Sequence, residues 1–165
     1  MSALKKLVLA PFAVAALAVS VQAMAAKDQH TIQLEATIPS LVFHVQPVDG
    51  SWIPVTQTLQ YSSATDSLDT LRKEFYAKHT AGTIEASVLN TPALQNISGT
   101  ETIDLNVSFN NKALSSTPVE VVTETDAGLG VTAWLEIQPV KPAAGYVAGT
   151  YEGNVQLAFD AVVAP

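Results

Sequence analysis

The chain has 165 residues, 48% apolar and 14% charged, with 15 Asp and Glu against 8 Lys and Arg, and no Cys. That length suits one domain with enough apolar content to bury a core. The net charge of −7 argues against nucleic acid or an anionic membrane surface as a partner. The lack of Cys excludes disulfides, thiolate metal sites and cysteine nucleophiles.

Met1–Ala25 begins with Lys5 and Lys6, continues with an apolar run from Leu7 to Val21 interrupted by Ser20, and ends in small residues at Ala23 and Ala25. These are the n-, h- and c-regions of a secretory signal peptide. Cleavage after Ala25 places Ala at −3 and −1, and cleavage after Ala23 is the alternative. The run is shorter than the roughly 20 apolar residues of a membrane span, and no later stretch is long and apolar enough to cross a bilayer. The expected product is an exported chain of 140 residues. It keeps 6 basic and all 15 acidic groups, because cleavage removes two lysines and no acid.

Beyond the signal the sequence reads as strands. Thr31–Ile38 alternates, with Ile32, Leu34, Ala36 and Ile38 on one face and Thr31, Gln33, Glu35 and Thr37 on the other. This is the period of two of a half-buried strand, and Pro39 stops it. Leu41–Val48 is a second apolar stretch, closed by the turn signal Asp49-Gly50, and Thr56–Tyr61 a third candidate. Thr83–Leu89, Ile103–Phe109, Val119–Val122, Val131–Ile137 and Asn154–Ala161 follow. Asn110-Asn111 predicts a tight hairpin into Lys112–Leu114, because Asn tolerates positive φ. Asp66–His79 reads two ways. Leu68, Leu71 and Phe75 fall at helical spacing with Asp66 or Ser67 available as N-cap, yet Leu71–Lys78 also fits a twisted strand. Short strands and frequent turn residues predict an antiparallel sandwich.

Chemistry is sparse. His30, His44 and His79 have no second ligand at metal spacing. Nucleophile elbows, paired-histidine zinc motifs and phosphate loops are all missing from the sequence. Asp66, Asp69 and Glu74 read as solvated surface acids, since no apolar pocket signature surrounds them. The sequence predicts neither an enzyme nor a cofactor. Trp52 and Trp134 fit core or edge packing, with glycan stacking as the other use of an exposed Trp.

Several short patterns in order point further. Asp49-Gly50, Pro54, Leu59 and Tyr61-Ser62 form DG…P…L-x-Y-S; His79-Thr80 and Thr91-Pro92-Ala93-Leu94 follow; Ala148–Leu157 reads A-G-x-Y-x-G-x-V-x-L. With the alternating segment ahead of Pro39, the absence of Cys and the signal peptide, the chain resembles the major pilins of alpha-class, colonisation-factor type fimbriae of the alternate chaperone–usher pathway. Phe43-His44 and the tail Asp160–Pro165 depart from the pattern.

The resemblance implies an all-β, incomplete immunoglobulin-like antiparallel sandwich lacking its final strand, completed by donor-strand exchange, and it favours a strand across Leu71–Lys78. Residues 1–25 would be the signal, 26–39 the donor arm and 40–165 the sandwich. Thr31, Ile32, Gln33, Leu34, Glu35, Ala36, Thr37 and Ile38 would be the donor strand. Val155, Leu157 and Phe159 would form the acceptor groove and chaperone edge. The implied partners are further copies of the subunit, a periplasmic chaperone, an outer-membrane usher and a tip adhesin, and the implied destination is a cell-surface fimbrium reached through the periplasm. Two other readings remain at this stage: a minor or tip subunit that binds a host receptor, and a self-contained monomeric periplasmic binding module with residues 31–38 as its own first strand.

Overall fold

Alternation of apolar and polar side chains is realised in two facing antiparallel sheets. The computed structural model describes residues 32–36 and 42–163. The first sheet is built from β1 (Phe43–Pro47), β4 (Leu71–His79), β10 (Val131–Pro139), β7 (Thr102–Phe109), β6 (Ala93–Asn96) and β11 (Tyr151–Glu152), in that spatial order, with β8 (Lys112–Ala113) paired to β7. The second sheet runs β12 (Leu157–Val163), β5 (Gly82–Val88), β9 (Val119–Val122). β2 (Tyr61–Ser62) and β3 (Ser67–Leu68) form a separate small hairpin. The helix α1 (Glu124–Leu129) bridges β9 and β10.

The core lies between the sheets. Ile103, Leu105, Val107 and Phe109 of β7 are all buried, as their alternation requires. Val107 and Phe109 belong to one core cluster with Ile84, Ala86 and Val88 of β5 and Val121 and Val122 of β9. Three phenylalanines, Phe75, Phe109 and Phe159, meet edge-on or tilted at centroid separations of 4.9–6.1 Å, the geometry aromatic quadrupoles favour.

The two-way segment resolves as strand. Phe75, Ala77 and His79 are buried on one face of β4, and β1 and β10 pair with its two sides. Pairing on both edges overrides the helix-favouring run Leu71–Glu74. The buried His79 is satisfied because its Nδ1 lies 3.0 Å from the Thr83 carbonyl; since a carbonyl only accepts, that nitrogen carries the proton.

The hairpin after β7 closes through Asn110 and Asn111, both at positive φ, 49° and 61°. The Asn110 side-chain amide also donates to the Val121 carbonyl at 2.7 Å.

Three expectations need correction. Thr56–Tyr61 is not a strand: only Tyr61–Ser62 pairs, and Gln57 instead donates its side-chain amide to the carbonyls of Trp52 and Val55. The last strand begins at Leu157, later than the expected Asn154, and runs on to Val163. Ahead of it, Asn90 takes over the backbone, donating to the Asn154 carbonyl and accepting from the Gln156 amide. The short helix α1 is an addition. Thr123 caps it, accepting from the Asp126 amide and donating to the Asp126 carboxylate, and Gly130 ends it at φ 85°, a side-chain N-cap and a glycine stop.

Candidate functional site

The chain topology places two sheet edges side by side. β4 passes through the Thr80–Ala81 turn into β5, and β9 passes through α1 into β10. The two sheets therefore run in the same lateral order, and their outermost strands β1 and β12 fall on one side of the sandwich. Among the described residues β1 pairs only with β4, and β12 only with β5. In an immunoglobulin-like sandwich this is the place of the final strand, beside the strand that β12 supplies.

The register identifies the inward faces of the two edges. On β12, Phe159 is opposite Ala86, Ala161 opposite Ile84 and Val163 opposite Gly82. Ala86 and Ile84 are fully buried core residues, so Leu157, Phe159, Ala161 and Val163 share the core-facing side. On β1, Phe43 is opposite His79 and Val45 opposite Ala77, which turns Phe43 and Val45 inward. Burial is lost along this seam. Leu157 and Phe159 are half-buried against the core, whereas Ala161 is exposed, Val163 is 60% exposed and Phe43 is 43% exposed. Inward-facing apolar side chains left in water, beside the edge of a sheet, are an open hydrophobic seam.

A separate groove of about 320 Å³ is lined by Trp52, Ile53, Val55, Leu71, Ile137 and Val155 among others, and by no residue of β1 or β12. Trp52 sits edge-on to Phe75 at 6.2 Å, with the Lys73 ammonium 5.1 Å from its ring centroid. Trp134 is on the opposite, outer face of the first sheet, 43% exposed, under the Arg72 guanidinium.

Of the expected groove residues, Leu157 and Phe159 lie on the inner face of β12, and Val155 precedes that strand and lines the separate groove. Ala161, which alternation sets on the same face, joins Leu157 and Phe159 with Val163 and Phe43; nothing in a pattern of alternation distinguishes an inward residue that is covered from one that is not. Of the expected donor segment, residues 32–36 are described. They carry no regular secondary structure and all are exposed, with Ile32 at 79% and Leu34 at 91%. Thr31, Thr37 and Ile38 lie outside the described residues, as does His30.

The remaining polar chemistry is structural. Asp66, at φ 45°, accepts from the Tyr61 hydroxyl at 2.8 Å and from the Lys141 ammonium at 2.5 Å. The hydrogen bond from Lys141 first, and that from Tyr61 second, hold its carboxyl below the usual range. Among the described residues no cluster of His, Asp or Glu is arranged to hold a metal, and no helix is long and apolar enough to cross a membrane.

The fold defines the class, an immunoglobulin-like antiparallel sandwich with an open edge seam. Among solved structures, the chain is similar to the CooA pilin subunit from enterotoxigenic Escherichia coli, with a TM-score of 0.61, 21% sequence identity, and coverage of 72% of this chain and 86% of that one. No curated protein sequence matches it. Residues 28–160 match the model of the CS1 type fimbrial major subunit family, and the chain belongs to that family. It is a structural pilin subunit that assembles as a homopolymer into a surface fimbrium.

Proposed function

We propose that the subunit polymerises by donor-strand exchange: residues 31–38 of one copy enter the seam between β1 and β12 of the next. The observation that carries this reading is a double exposure. Phe43 and Val163 turn inward yet remain wet, at 43% and 60%, while Ile32 and Leu34, one face of an alternating segment, are 79% and 91% exposed. Each needs an apolar partner, and strand addition supplies the backbone hydrogen bonds as well.

Before assembly the same seam is an aggregation hazard, and its occupant is then a strand lent by a periplasmic chaperone, with β12 as the pairing edge. At an outer-membrane usher the next subunit's arm replaces that strand, and a tip adhesin takes the distal position. The chain contributes shape and an apolar surface, with no catalytic group and no cofactor.

The test is deletion of residues 26–38 from the mature protein, co-expressed with its assembly machinery, with fibres viewed by electron microscopy. Fibres should vanish. Leu34→Asp should give the same loss when expressed alone, because a carboxylate in an apolar groove lacks a partner, while the variant still accepts a strand from wild type. Fibres of normal number from the deletion would defeat donation by this arm.

A further inference from the structure

We infer that the donated strand has one orientation and one register: antiparallel to β12, with Ala36 opposite Phe159, Leu34 opposite Ala161 and Ile32 opposite Val163. This rests on the strand-donation reading above and adds the residues that fix specificity. Two independent features of β12 carry it.

The first is side-chain volume. The inner face of β12 runs Leu157, Phe159, Ala161, Val163, so a large ring is followed by a near-void. The Phe159 ring is held in place by Phe109 at 4.9 Å and Phe75 at 6.1 Å, and it has little freedom to move aside. The donor row runs Ile32, Leu34, Ala36, Ile38, with a single small member. Neighbours on one sheet face pack when large meets small. In the antiparallel register given, Ala36 clears the Phe159 ring and Leu34 fills the space over Ala161.

A parallel donor with Ala36 opposite Phe159 passes this measure but brings only Ser40 to Val163, the exposed end of the seam; the remaining arrangements fail by volume. A parallel donor with Ile32 opposite Leu157 sets Ala36 beside Ala161, leaving a cavity, and presses Leu34 against Phe159; both faults destabilise. An antiparallel slip of two residues one way again faces Leu34 with Phe159, and the other way again pairs the two alanines. A slip of one residue turns Gln33 and Glu35 into the groove.

The second feature is the gradient of exposure. Phe159 and Leu157 already touch the core, whereas Ala161 is exposed and Val163 is 60% exposed. Phe43, 43% exposed, flanks the same β4–β5 turn as Val163, through its register with His79 and the pairing of Val163 with Gly82. The greatest exposure of inward apolar side chains lies at that end, where this register delivers two large residues, Ile32 and Leu34. The smallest residue, Ala36, goes where the groove is already filled.

The absence of native Cys makes the register directly readable. Directly opposed residues on antiparallel strands have a spacing compatible with a disulfide. Fimbriae carrying Leu34→Cys with Ala161→Cys should run as a ladder of covalent multimers in denaturing gels and collapse on reduction. Fimbriae carrying Ala36→Cys with Ala161→Cys should not. A ladder from the second pair, or assembled fibres with no ladder from the first, would overturn the register.

A separate measurement covers variants that assemble poorly. Ala36→Leu should lower fibre yield at least tenfold, and Phe159→Leu in the same chain should restore part of it. Wild-type yield from Ala36→Leu alone would also overturn the proposal. Failure here remains distinguishable from failure of strand donation, because removal of residues 26–38 would still abolish fibres in the first case and leave them intact in the second.

Discussion

Phe159 shows how one residue serves two states of the molecule. Its ring packs on Phe75 and Phe109 in the single chain, yet it remains half-buried, and in the proposed assembly a neighbour's strand completes its packing. Asp66 is the contrasting case, a polar residue whose partners all lie within its own chain. Hydrogen bonds from Lys141 and then Tyr61 lower its pKa, and the same bond to Asp66 raises that of Lys141. A depressed carboxylate stabilises the fold above its ordinary pKa, and that contribution fades as pH falls through the depressed value. For Lys141 the sign reverses, with the contribution present below the ordinary lysine pKa and lost as pH rises through the raised value. Both side chains are exposed, at 51% and 46%, so solvent screening keeps the effect local. Carbon-detected NMR titration should find the Asp66 carboxyl below the normal carboxylate range, and Lys141→Ala should move it upward. An unmoved Asp66 in that variant would mean Lys141 is not the principal cause.

Among the described residues β12 is an edge strand paired with β5 alone. Its far end is kept in register by Gly82: a Cβ built there would overlap the Val162 carbonyl oxygen and crowd Val163 Cα. Those are backbone atoms, so no side-chain rotation relieves the clash and the end of β12 must shift. Gly82→Ala should cost about 1–3 kcal/mol in urea unfolding, whereas Gly50→Ala, with nothing within 4 Å of the new Cβ, should stay within about 0.5 kcal/mol. Equal stabilities for the two variants would remove this account of the β12 anchor. How much of the elements the sequence discloses follows from how each is stabilised. β7 and its Asn110-Asn111 turn were legible because alternation and turn chemistry agree locally. β4 was ambiguous because Leu68, Leu71 and Phe75 satisfy a helical spacing, and only pairing with β1 and β10 decides the matter. The stretch from Thr56 to Gln60 looked like a strand but joins no sheet, with only the Gln60 carbonyl accepting a backbone bond, from the Asp69 amide. α1 carried a readable signal in Thr123, Asp126 and Gly130 that its six-residue length made easy to pass over. Period two set Val155, Leu157, Phe159 and Ala161 on one face and the resemblance proposed the first three as groove residues, while the exposure of Val163 and Phe43 emerged only from knowing which inward faces are uncovered.

At the scale of the whole molecule the central quantity is the difference between a sandwich with an open seam and one with the seam filled. The proposed antiparallel donor can be supplied within one chain, because β12 ends at the β4–β5 turn and a short loop there would return a following strand alongside it. A variant lacking its N-terminal arm, with residues 26–38 placed after Pro165 through a four-residue loop, should therefore remain monomeric in size-exclusion chromatography. Filling the seam covers Phe43, Ala161 and Val163 and adds a ladder of backbone hydrogen bonds to β12. A net gain of about 4 kcal/mol would raise the thermal midpoint on the order of 10 °C over the armless chain. Unfolding should slow as well, since the added strand must leave before the aromatic core opens. The same construction with Leu34→Asp in the appended strand should lose most of the gain, which separates specific filling of the seam from the general effect of a longer chain. Identical midpoints for the armless and self-filled proteins would mean that the sandwich is already complete without a partner.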